Sequence, residues 1–516
     1  MINAVLKPQT NQHHVLVYIT AMLCSLFLSA YIDFREVLIN PDAICYLSSA
    51  EAMGRLGLKN AMQLCGQARW PFYPWLIYHF VQVTHFSYMA AAYVIDGFFT
   101  LISVGTFVLI VKELGGSQRT LWIAALVILL AHEFNSVREY IVRDHGFWAF
   151  YLVSLFFLLR FFRKPNWLSA FSWVSSLLLA TLFRIEGAFF LLMLPFTSFI
   201  FVEKRLRTRI NWLFMLNGFL IVVGLVACCW LLYHPMKTMT VGRASEITQQ
   251  IQHGLGLMYE RYLLTKTALA THVLNTDSAK EAGLVLPIVL IAWYLISVIQ
   301  NLSWIYAFLV VYAWRRTRQL FSTTARRVVF SYLFVNVLVT FAFLLEHMFF
   351  SKRYLIALSL ILMLWVPFAL DEMIAQKKRV LMVFVSLFIA ISAAGGIFEF
   401  GYSKAYIANA GSWLADNVPK DAYLYANDYQ LMYYSRHFGD SIFEKTSAYS
   451  QLNTIADGKW KQYDYLALRL SKKDDAATAS IVTQIKSVPL QVFSNKRGDK
   501  VVIYKLRDVM PAKAGI

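Results

Sequence analysis

The segment 40–53 carries residue types that could perform chemistry. Asn40 suits the N-cap of a helix and Pro41 suits its first position, which places Asp42 in the first turn, where the helix dipole favours an ionised carboxylate. Tyr46 would share the face of Asp42. The carboxylate could stabilise the helix start by about 0.3–1 kcal/mol, or it could accept a proton from a reacting hydroxyl. Helix rules alone favour the first role, whereas the position just after an apolar run, at the rim of a helix bundle, favours the second.

Further charged residues stand where long apolar runs begin or end. They are Asp33, Arg69, the group Arg138, Arg143 and Asp144, the pair Arg184 and Glu186, and the pair Lys352 and Arg353. Each has a structural interpretation beside a functional one. Asp144 could cap a membrane helix, for about 1 kcal/mol; Arg184 and Glu186 could neutralise each other; and Arg69 could bind lipid headgroups. Arg138 and Arg143 could serve either a phosphate or Asp144.

The composition indicates the class of protein in which these residues lie. The 516 residues are 58% hydrophobic and 15% charged, with a mean hydropathy of +0.53, whereas soluble domains are roughly 25% charged. A single globular core is therefore excluded. The apolar runs are unbroken, whereas a transmembrane barrel would alternate every second residue. We predict a mainly α polytopic membrane protein with about eleven transmembrane helices, at about 20 apolar residues each.

Basic clusters fix the predicted orientation. They follow every second span, at 163–164, 204–209, 315–327 and 377–379, and such clusters favour the cytoplasmic side. The N-terminus is then cytoplasmic, and everything after about Tyr402 lies outside. The net charge of +18 is accounted for by these loops, so we expect a lipid bilayer and no nucleic acid as partner. The predicted spans are 15–32, 86–111, 120–134, 146–162, 167–183, 187–202, 212–233, 284–313, 328–345, 354–370 and 380–399.

The predicted organisation is a membrane domain, 1–402, followed by a small extracytoplasmic α/β domain, 403–516. Two outer loops interrupt the membrane domain. Loop 33–85 contains two candidate short helices. Loop 234–283 has apolar residues at helical spacing, which predicts an interface helix interrupted at Gly254 and Gly256.

The tail after Tyr402 has the pattern of a soluble α/β fold. The predicted elements are helices at 404–417 and 474–486, strands at 422–426 and 463–470, and a hairpin of 490–494 with 500–506 around Arg497-Gly498. Five cysteines make no disulfide framework and no metal-type spacing, and only Cys45 and Cys65, both in the first outer loop, are candidates for pairing.

The order of these motifs resembles a known superfamily. Pro41-Asp42, then Tyr46 and Met53, then the run from Arg69 to Trp75, resemble the first outer loop of GT-C fold glycosyltransferases. The resemblance is strongest to the branch that contains the aminoarabinose lipid A transferases and the protein O-mannosyltransferases. It implies a membrane enzyme that takes a sugar from a polyprenyl-phosphate carrier on the outer side of the membrane.

The resemblance also implies roles for individual residues. Asp42 stands at the position of the catalytic first-loop acid, and Asp144 at that of an acid starting the fourth helix and lining the same cavity. Arg69 stands where that branch carries a ligand of the lipid phosphate, and Lys352-Arg353 resembles an outer motif at the phosphate level. The family often has Asp-Glu where this chain has Asp42-Ala43, which leaves open whether Asp33 or Glu36 supplies a second acid. The segment that contains Arg184 and Glu186 resembles the turn between the fifth and sixth helices of the family.

A metal is a secondary possibility. The sequence contains no Asp-x-Asp motif, which commonly holds a divalent ion against a diphosphate, so a lipid monophosphate donor and a metal-free mechanism are favoured. Asp33, Asp42 and Asp144 could still hold a divalent metal if the fold brought them together.

We therefore expect an inverting glycosyltransferase of the bacterial inner membrane, with a periplasmic C-terminal domain and an outer-surface lipid, glycan or protein as acceptor. Asp42 would accept or orient the acceptor proton, and Arg69 with Arg353 or Lys352 would hold the leaving phosphate. The alternative is a transporter or flippase of lipid-linked sugars. A transporter should place ionisable residues near mid-membrane, whereas here nearly all lie at span ends, Asp96 being the main exception.

Overall fold

The computed structural model describes residues 10–233, 244–316, 321–437, 459–472, 485 and 487–506. Helices dominate, as the composition predicts. In the first half of the chain they are α1 (Thr10–Arg35), α2 (Pro41–Ala61), α3 (Phe72–Thr84), α4 (Tyr88–Glu113), α5 (Gln118–Leu129), α6 (His132–Ser136), α7 (Asp144–Arg163), α8 (Trp167–Phe183), α9 (Gly187–Met193) and α10 (Leu206–Tyr233).

The second half continues this pattern and ends in a small mixed region. Its helices are α11 (Ala244–His272), α12 (Ala282–Leu302), α13 (Trp304–Arg316), α14 (Thr323–His347), α15 (Ile356–Leu362), α16 (Val366–Ala375), α17 (Arg379–Ile397), α18 (Ala405–Asn417) and α19 (Tyr429–Ser435). Its strands are β1 (Leu424–Ala426), β2 (Tyr465–Leu470), β3 (Pro489–Ser494) and β4 (Lys500–Lys505).

Seven helical segments in the described residues are long and apolar enough to cross a membrane. They lie at His14–Arg35, Tyr88–Glu113, Asp144–Arg163, Ala279–Leu302, Thr323–His347, Lys352–Ala375 and Arg379–Ile397. The chain is thus a multi-pass membrane protein. The total of eleven spans stays a prediction.

One predicted span is divided. Residues 284–313 form two helices, α12 and α13, which meet at Ser303 with a φ of +70°. Asn301, at the end of α12, donates a 2.7 Å hydrogen bond to the backbone oxygen of Lys352 and accepts one of 2.6 Å from Ser359. The end of α12 is therefore tied to the segment leading into α15, and a new helix starts after the break.

The helix of the second outer loop also differs from the prediction. α11 runs through Gly254 and Gly256 without interruption, and neither glycine has a positive φ. A glycine in a helix interior costs about 1 kcal/mol relative to alanine, which a long helix tolerates. Residues 234–243 of this loop lie outside the described residues.

Contacts divide the chain into two compact units. The helical unit comprises 1–31, 95–138 and 143–398, and the mixed unit comprises 32–94, 139–142 and 399–516. The predicted first outer loop thus packs in the same unit as the tail. Within the mixed unit, Gln430 of α19 donates a 2.6 Å hydrogen bond to the backbone oxygen of Ile39, and the Ile39 N–H donates to the Tyr434 hydroxyl at 3.2 Å.

The tail contains a four-stranded sheet in the order β1-β2-β4-β3. β1 and β2 are parallel, and the other pairs are antiparallel, with Leu466 opposite Tyr504 and Val492 opposite Val502. Buried side chains of β2 and β4 form its core. The predicted α18, strands and hairpin are confirmed, and Gly498 has the positive φ, +97°, that the hairpin turn requires. The predicted helix 474–486 lies largely outside the described residues.

Candidate active site

The helical unit gathers three charged side chains at one end of α7, α8 and α9. Arg184 lies in the short turn between α8 and α9, and its guanidinium donates hydrogen bonds to the carboxylates of Asp144 and Glu186. The Nε–H of Arg184 reaches Glu186 Oε2 at 3.2 Å. Arg184 is 7% exposed and Asp144 3%. The predicted Arg184–Glu186 pair is real, but it includes a third member from another helix.

Two glycines allow this close approach. A Cβ on Gly146 in α7 would overlap the ring of Phe183 at the end of α8. A Cβ on Gly187, at the start of α9, would lie 2.6 Å from the Thr181 hydroxyl oxygen and 2.8 Å from its backbone nitrogen. Any larger residue would separate these helix ends, so the glycines set the spacing on which the charge cluster depends.

Asp144 is not a helix cap. α7 begins at Asp144 itself, Arg143 takes the N-cap position, and no side chain caps the helix. Asp144 is instead the counter-ion of Arg184, and the structural interpretation as a cap is wrong. The Nη1 atom of Arg143 is buried and has no hydrogen-bond acceptor in the part of the chain that the structure describes, so the cluster retains a further positive charge beside Asp144.

Tyr354 joins this cluster to a second cation. Its ring lies 4.5 Å from the guanidinium carbon of Arg184 and 5.5 Å from that of Arg353. The Tyr354 ring also contacts Phe343, and the two ring centroids are 4.5 Å apart. The short helical turn Lys352–Leu355, which precedes α15, therefore brings the predicted Arg353 to the Asp144–Arg184–Glu186 cluster.

A small cavity of about 30 Å³ opens beside these groups. Of its twelve lining residues, five are aromatic, two are aliphatic, two have neutral polar side chains and three are charged. The lining residues are Phe147, Trp148, Arg184, Glu186, Phe190, Asn336, Val339, Thr340, Phe343, Arg353, Tyr354 and Ala357. The lining therefore combines apolar faces with cations that can bind an anion.

Lys352, also predicted to bind phosphate, has another partner. Its ammonium donates a 2.7 Å hydrogen bond to Glu133 Oε1, and Glu133 is buried. The lysine side chain is 62% exposed. The structure thus separates two neighbouring cations: Arg353 lines the cavity, and Lys352 neutralises a buried carboxylate of α6.

Arg138 also has a structural role. It is buried, and its guanidinium donates to Ser29 Oγ at 2.7 Å, Ser25 Oγ at 3.1 Å and Asn135 Oδ1 at 2.9 Å. These bonds tie the end of α6 to α1. The prediction that Arg138 serves Asp144 or a phosphate has no support from these contacts.

The mixed unit holds the first-loop residues. Asp42 is the second residue of α2 and is half-buried, and its Oδ1 accepts a 3.0 Å hydrogen bond from the Gln67 side chain. Cys45, one turn further along α2, is disulfide-bonded to Cys65 with a Cα–Cα distance of 6.0 Å. The disulfide therefore holds the segment that carries Gln67 against the start of α2.

Asn40 occupies the N-cap position, as predicted, but its side chain does not cap α2. Its carbonyl accepts the Ile141 N–H at 2.9 Å, and its amide donates to the Ile141 oxygen at 3.4 Å. The asparagine pairs with a distant backbone segment, and Pro41 and Asp42 start the helix without its help.

The remaining first-loop candidates occupy different surroundings. Arg69 is exposed, in the same short helical turn as Gln67. Tyr46 is buried, with its ring edge-on to Tyr73 at 5.1 Å, so it belongs to the core of the unit. Asp33 is half-buried in the last turn of α1. Asp33, Asp42 and Arg69 are therefore at least partly accessible, whereas Tyr46 is buried.

Sequence reasoning missed Gln67 and the cavity walls. Gln67 is two residues from the predicted Arg69, but a lone glutamine in a loop carries no signal. Asn336 could have been identified from the sequence, because it is a polar residue inside the apolar run of α14. Within the described ranges, no group of three or more His, Cys, Asp or Glu side chains is placed to hold a metal ion.

No protein-family model matches this sequence, and no curated protein matches it. Solved structures do. The archaeal oligosaccharyltransferase AglB from Archaeoglobus fulgidus aligns with 97% of this chain and 75% of its own, at 12% identity and a TM-score of 0.54. Apo ArnT from Cupriavidus metallidurans aligns with 96% of this chain and 98% of its own, at 12% identity and a TM-score of 0.56. The resemblance to the GT-C fold is thereby confirmed at the level of the fold.

Proposed function

We propose that this GT-C fold protein transfers a sugar from a polyprenyl-phosphate donor to an acceptor on the outer surface, with inversion at the anomeric carbon. The observation that carries the proposal is the cavity whose lining includes aromatic rings, Arg353, Arg184 and Glu186, together with Asp144, which is bound to Arg184. A polyprenyl-phosphate sugar has the matching chemistry, because it joins an apolar chain to a phosphate and a sugar.

The cations suit the departing group. When the bond between the sugar and the phosphate breaks, negative charge grows on the phosphate oxygens. Arg353 would stabilise that charge, and a fixed guanidinium stabilises it more in the transition state than in the ground state. Arg184 is committed to two carboxylates, so we assign it the role of positioning Asp144. Arg69 stays a second candidate ligand of the phosphate.

The two carboxylates suit different roles. Asp144 is buried in an ion pair, which makes it a poor proton acceptor and a good fixed negative charge beside a cationic sugar in the transition state. Asp42 lies half-buried in the first turn of α2 and accepts a hydrogen bond from Gln67, so an acceptor hydroxyl can reach its carboxylate. We therefore propose Asp42 as the general base.

The fold supports this assignment. The AglB structure that aligns with this chain is in complex with a dolichol-phosphate, a lipid carrier of the proposed class. Carriers of this class, together with an outer-surface acceptor and the bilayer, are the partners we propose.

The proposed orientation rests on basic residues at the helix ends that lie opposite to the Arg184 cluster. There Arg163 pairs with Glu113 at 2.6 Å and Arg327 with Glu203 at 2.5 Å. Basic loops favour the cytoplasm, so the cluster around Arg184 would face the outside of a bacterial inner membrane, with the tail in the periplasm.

A reconstituted assay tests the proposal. Protein in proteoliposomes is given a defined polyprenyl-phosphate sugar, and cleavage of the sugar–phosphate bond is followed with Arg353→Gln and the control Arg119→Gln, at the opposite end of the helices. We expect cleavage that Arg353→Gln reduces at least tenfold and the control does not. Intact donor moved across the bilayer without cleavage would identify a flippase instead.

A further inference from the structure

The tail carries an open groove that the proposed reaction does not use. One cleft, of about 500 Å³, lies between the segment before α18, the end of β2 and the β3–β4 turn. A second, of about 470 Å³, adjoins it. They share Gly401, Tyr402, Tyr406 and Asn495, and we call the two together the tail groove.

The turn on one side of the groove is held firmly. The side-chain oxygen of Asn495 accepts the N–H groups of Arg497, Gly498 and Asp499 at 3.0–3.1 Å. The Asn495 amide donates to Asp499 Oδ2 at 3.1 Å, and Asp499 Oδ1 accepts the Lys472 N–H at 3.1 Å. Asp499 therefore already accepts hydrogen bonds within its own unit. These bonds fix the backbone of the turn that carries Lys496 and Arg497.

Positive charge predominates in the groove. Lys404, Arg469, Lys496 and Arg497 line it, against the carboxylates Glu399 and Asp499. Arg469 is anchored by Asp428 at 2.6 Å and Gln430 at 3.3 Å. Lys404, Lys496 and Arg497 are exposed. Since Asp499 and Arg469 are already partnered, the exposed cations are the groups available to a ligand.

Aromatic and amide groups line the same groove. Tyr402 is 57% exposed, so the face of its ring is accessible to a ligand in the groove. Asn409, Ser403 and Ser471 also line it. Tyrosine faces pack on the C–H faces of sugar rings, and amides and hydroxyls bond sugar hydroxyls, whereas ammonium and guanidinium groups bind carboxylates or phosphates.

We propose that the tail groove binds an acidic saccharide, a glycan whose sugar rings carry carboxylate or phosphate groups. Its rings would lie against Tyr402, and its anionic groups would be bound by Lys496 and Arg497. The site is separate from the proposed transfer reaction, because binding requires neither donor lipid nor the Asp144–Arg184–Glu186 cluster. Failure of one proposal therefore leaves the other standing.

Direct binding to the full-length protein tests this inference. The protein is placed in nanodiscs of zwitterionic lipid, and calorimetry compares trigalacturonic acid, neutral maltotriose and inorganic phosphate. We expect trigalacturonic acid to bind tightest. The double variant Lys496→Gln/Arg497→Gln should weaken it by roughly tenfold or more, the effect of losing one charge-assisted hydrogen bond. Tyr402→Ala should weaken both saccharides.

Matched controls in the same unit are Lys420→Gln and Tyr423→Ala, which remove an exposed lysine and an exposed tyrosine that do not line the groove. Both should bind as the parent does, and unfolding temperatures confirm that every variant is folded. Equal affinity for maltotriose, or for phosphate alone, would overturn the acidic saccharide as ligand. Binding to phosphatidylglycerol vesicles that the double variant abolishes, with no binding of any saccharide, would also overturn the proposal, because the groove would then contact a membrane surface.

Discussion

Arg184 donates a hydrogen bond to Asp144, 40 residues earlier in the chain, from the same guanidinium that holds Glu186. The arrangement ties the start of α7 to the turn between α8 and α9. It also keeps Asp144 ionised in a buried position, because an isolated buried carboxylate would be strongly destabilised.

The first prediction concerns this shared guanidinium. Arg184→Lys replaces a planar guanidinium, which donates hydrogen bonds to both carboxylates, by a single ammonium that cannot bind both with the same geometry. We expect the free energy of unfolding to fall by roughly 3 kcal/mol, since buried ion pairs respond strongly to loss of one partner. Chemical unfolding in detergent measures it. Arg119→Lys is the control: its side chain is 52% exposed beside Asp371, so a change of about 0–1 kcal/mol is expected. Equal changes in both variants would contradict the central position of Arg184.

The second prediction concerns the disulfide that holds Gln67 near Asp42. The double variant Cys45→Ser/Cys65→Ser removes the disulfide. Opening this loop of about 20 residues raises the entropy of the unfolded chain, which lowers the free energy of unfolding by on the order of 3 kcal/mol. We expect a lower unfolding temperature and slower sugar transfer, because Asp42 loses a fixed neighbour. Reductant should reproduce both effects in the parent protein and change nothing in the double variant. An unaltered unfolding temperature would show that the bond does not constrain this loop.

The third prediction is a pH dependence. Burial, with Glu36 and Glu399 nearby, raises the pKa of Glu139 from 4.5 to about 7. Between these values the folded protein binds more protons at Glu139 than the unfolded chain, so the free energy of unfolding falls as pH rises through this window.

Glu139→Gln should abolish this part of the pH dependence. We expect the variant to unfold at a higher temperature than the parent at pH 8, with a smaller difference at pH 5. The exposed Glu281→Gln serves as control and should follow the parent at both pH values. A Glu139→Gln protein with the parent's pH profile would refute the assignment.

The fourth prediction is topological and rests on the alternation of basic loops. A reporter fused after the basic cluster 204–209 should be cytoplasmic, and one fused after Tyr402 should be external. Accessibility of each reporter in whole cells measures this. Finding both on one side of the membrane would overturn the proposed orientation.

Local signals accounted for much of the fold. Apolar runs predicted the long helices, Pro41 predicted the start of α2, and Arg497-Gly498 predicted the hairpin turn. These features depend on neighbours in sequence. The break at Ser303 was not predictable, because the bonds of Asn301 join α12 to residues more than 50 positions away.

The sequence predicted which residues lie at the candidate site, but it did not predict most of the contacts between them. Asp144, Arg184, Glu186 and Arg353 were all identified by their positions at span ends. The Arg184–Glu186 pair was predicted, but the pairing of Arg184 with Asp144 was not, since a 40-residue separation leaves no periodicity. Arg138 had the same local appearance, yet the hydroxyls of α1 determine its role.

The most direct test of the account is the rate of sugar transfer by Asp42→Asn in proteoliposomes with a defined polyprenyl-phosphate sugar, beside Asp416→Asn, an exposed aspartate of α18. Asparagine keeps the acceptor oxygen for Gln67 and most of the helix-start stabilisation, so the variant should unfold as the parent does. Loss of a general base should lower the rate by about 100- to 10,000-fold, with Asp416→Asn unchanged. Transfer by a folded Asp42→Asn protein at the parent rate would contradict the account and direct attention to Asp144.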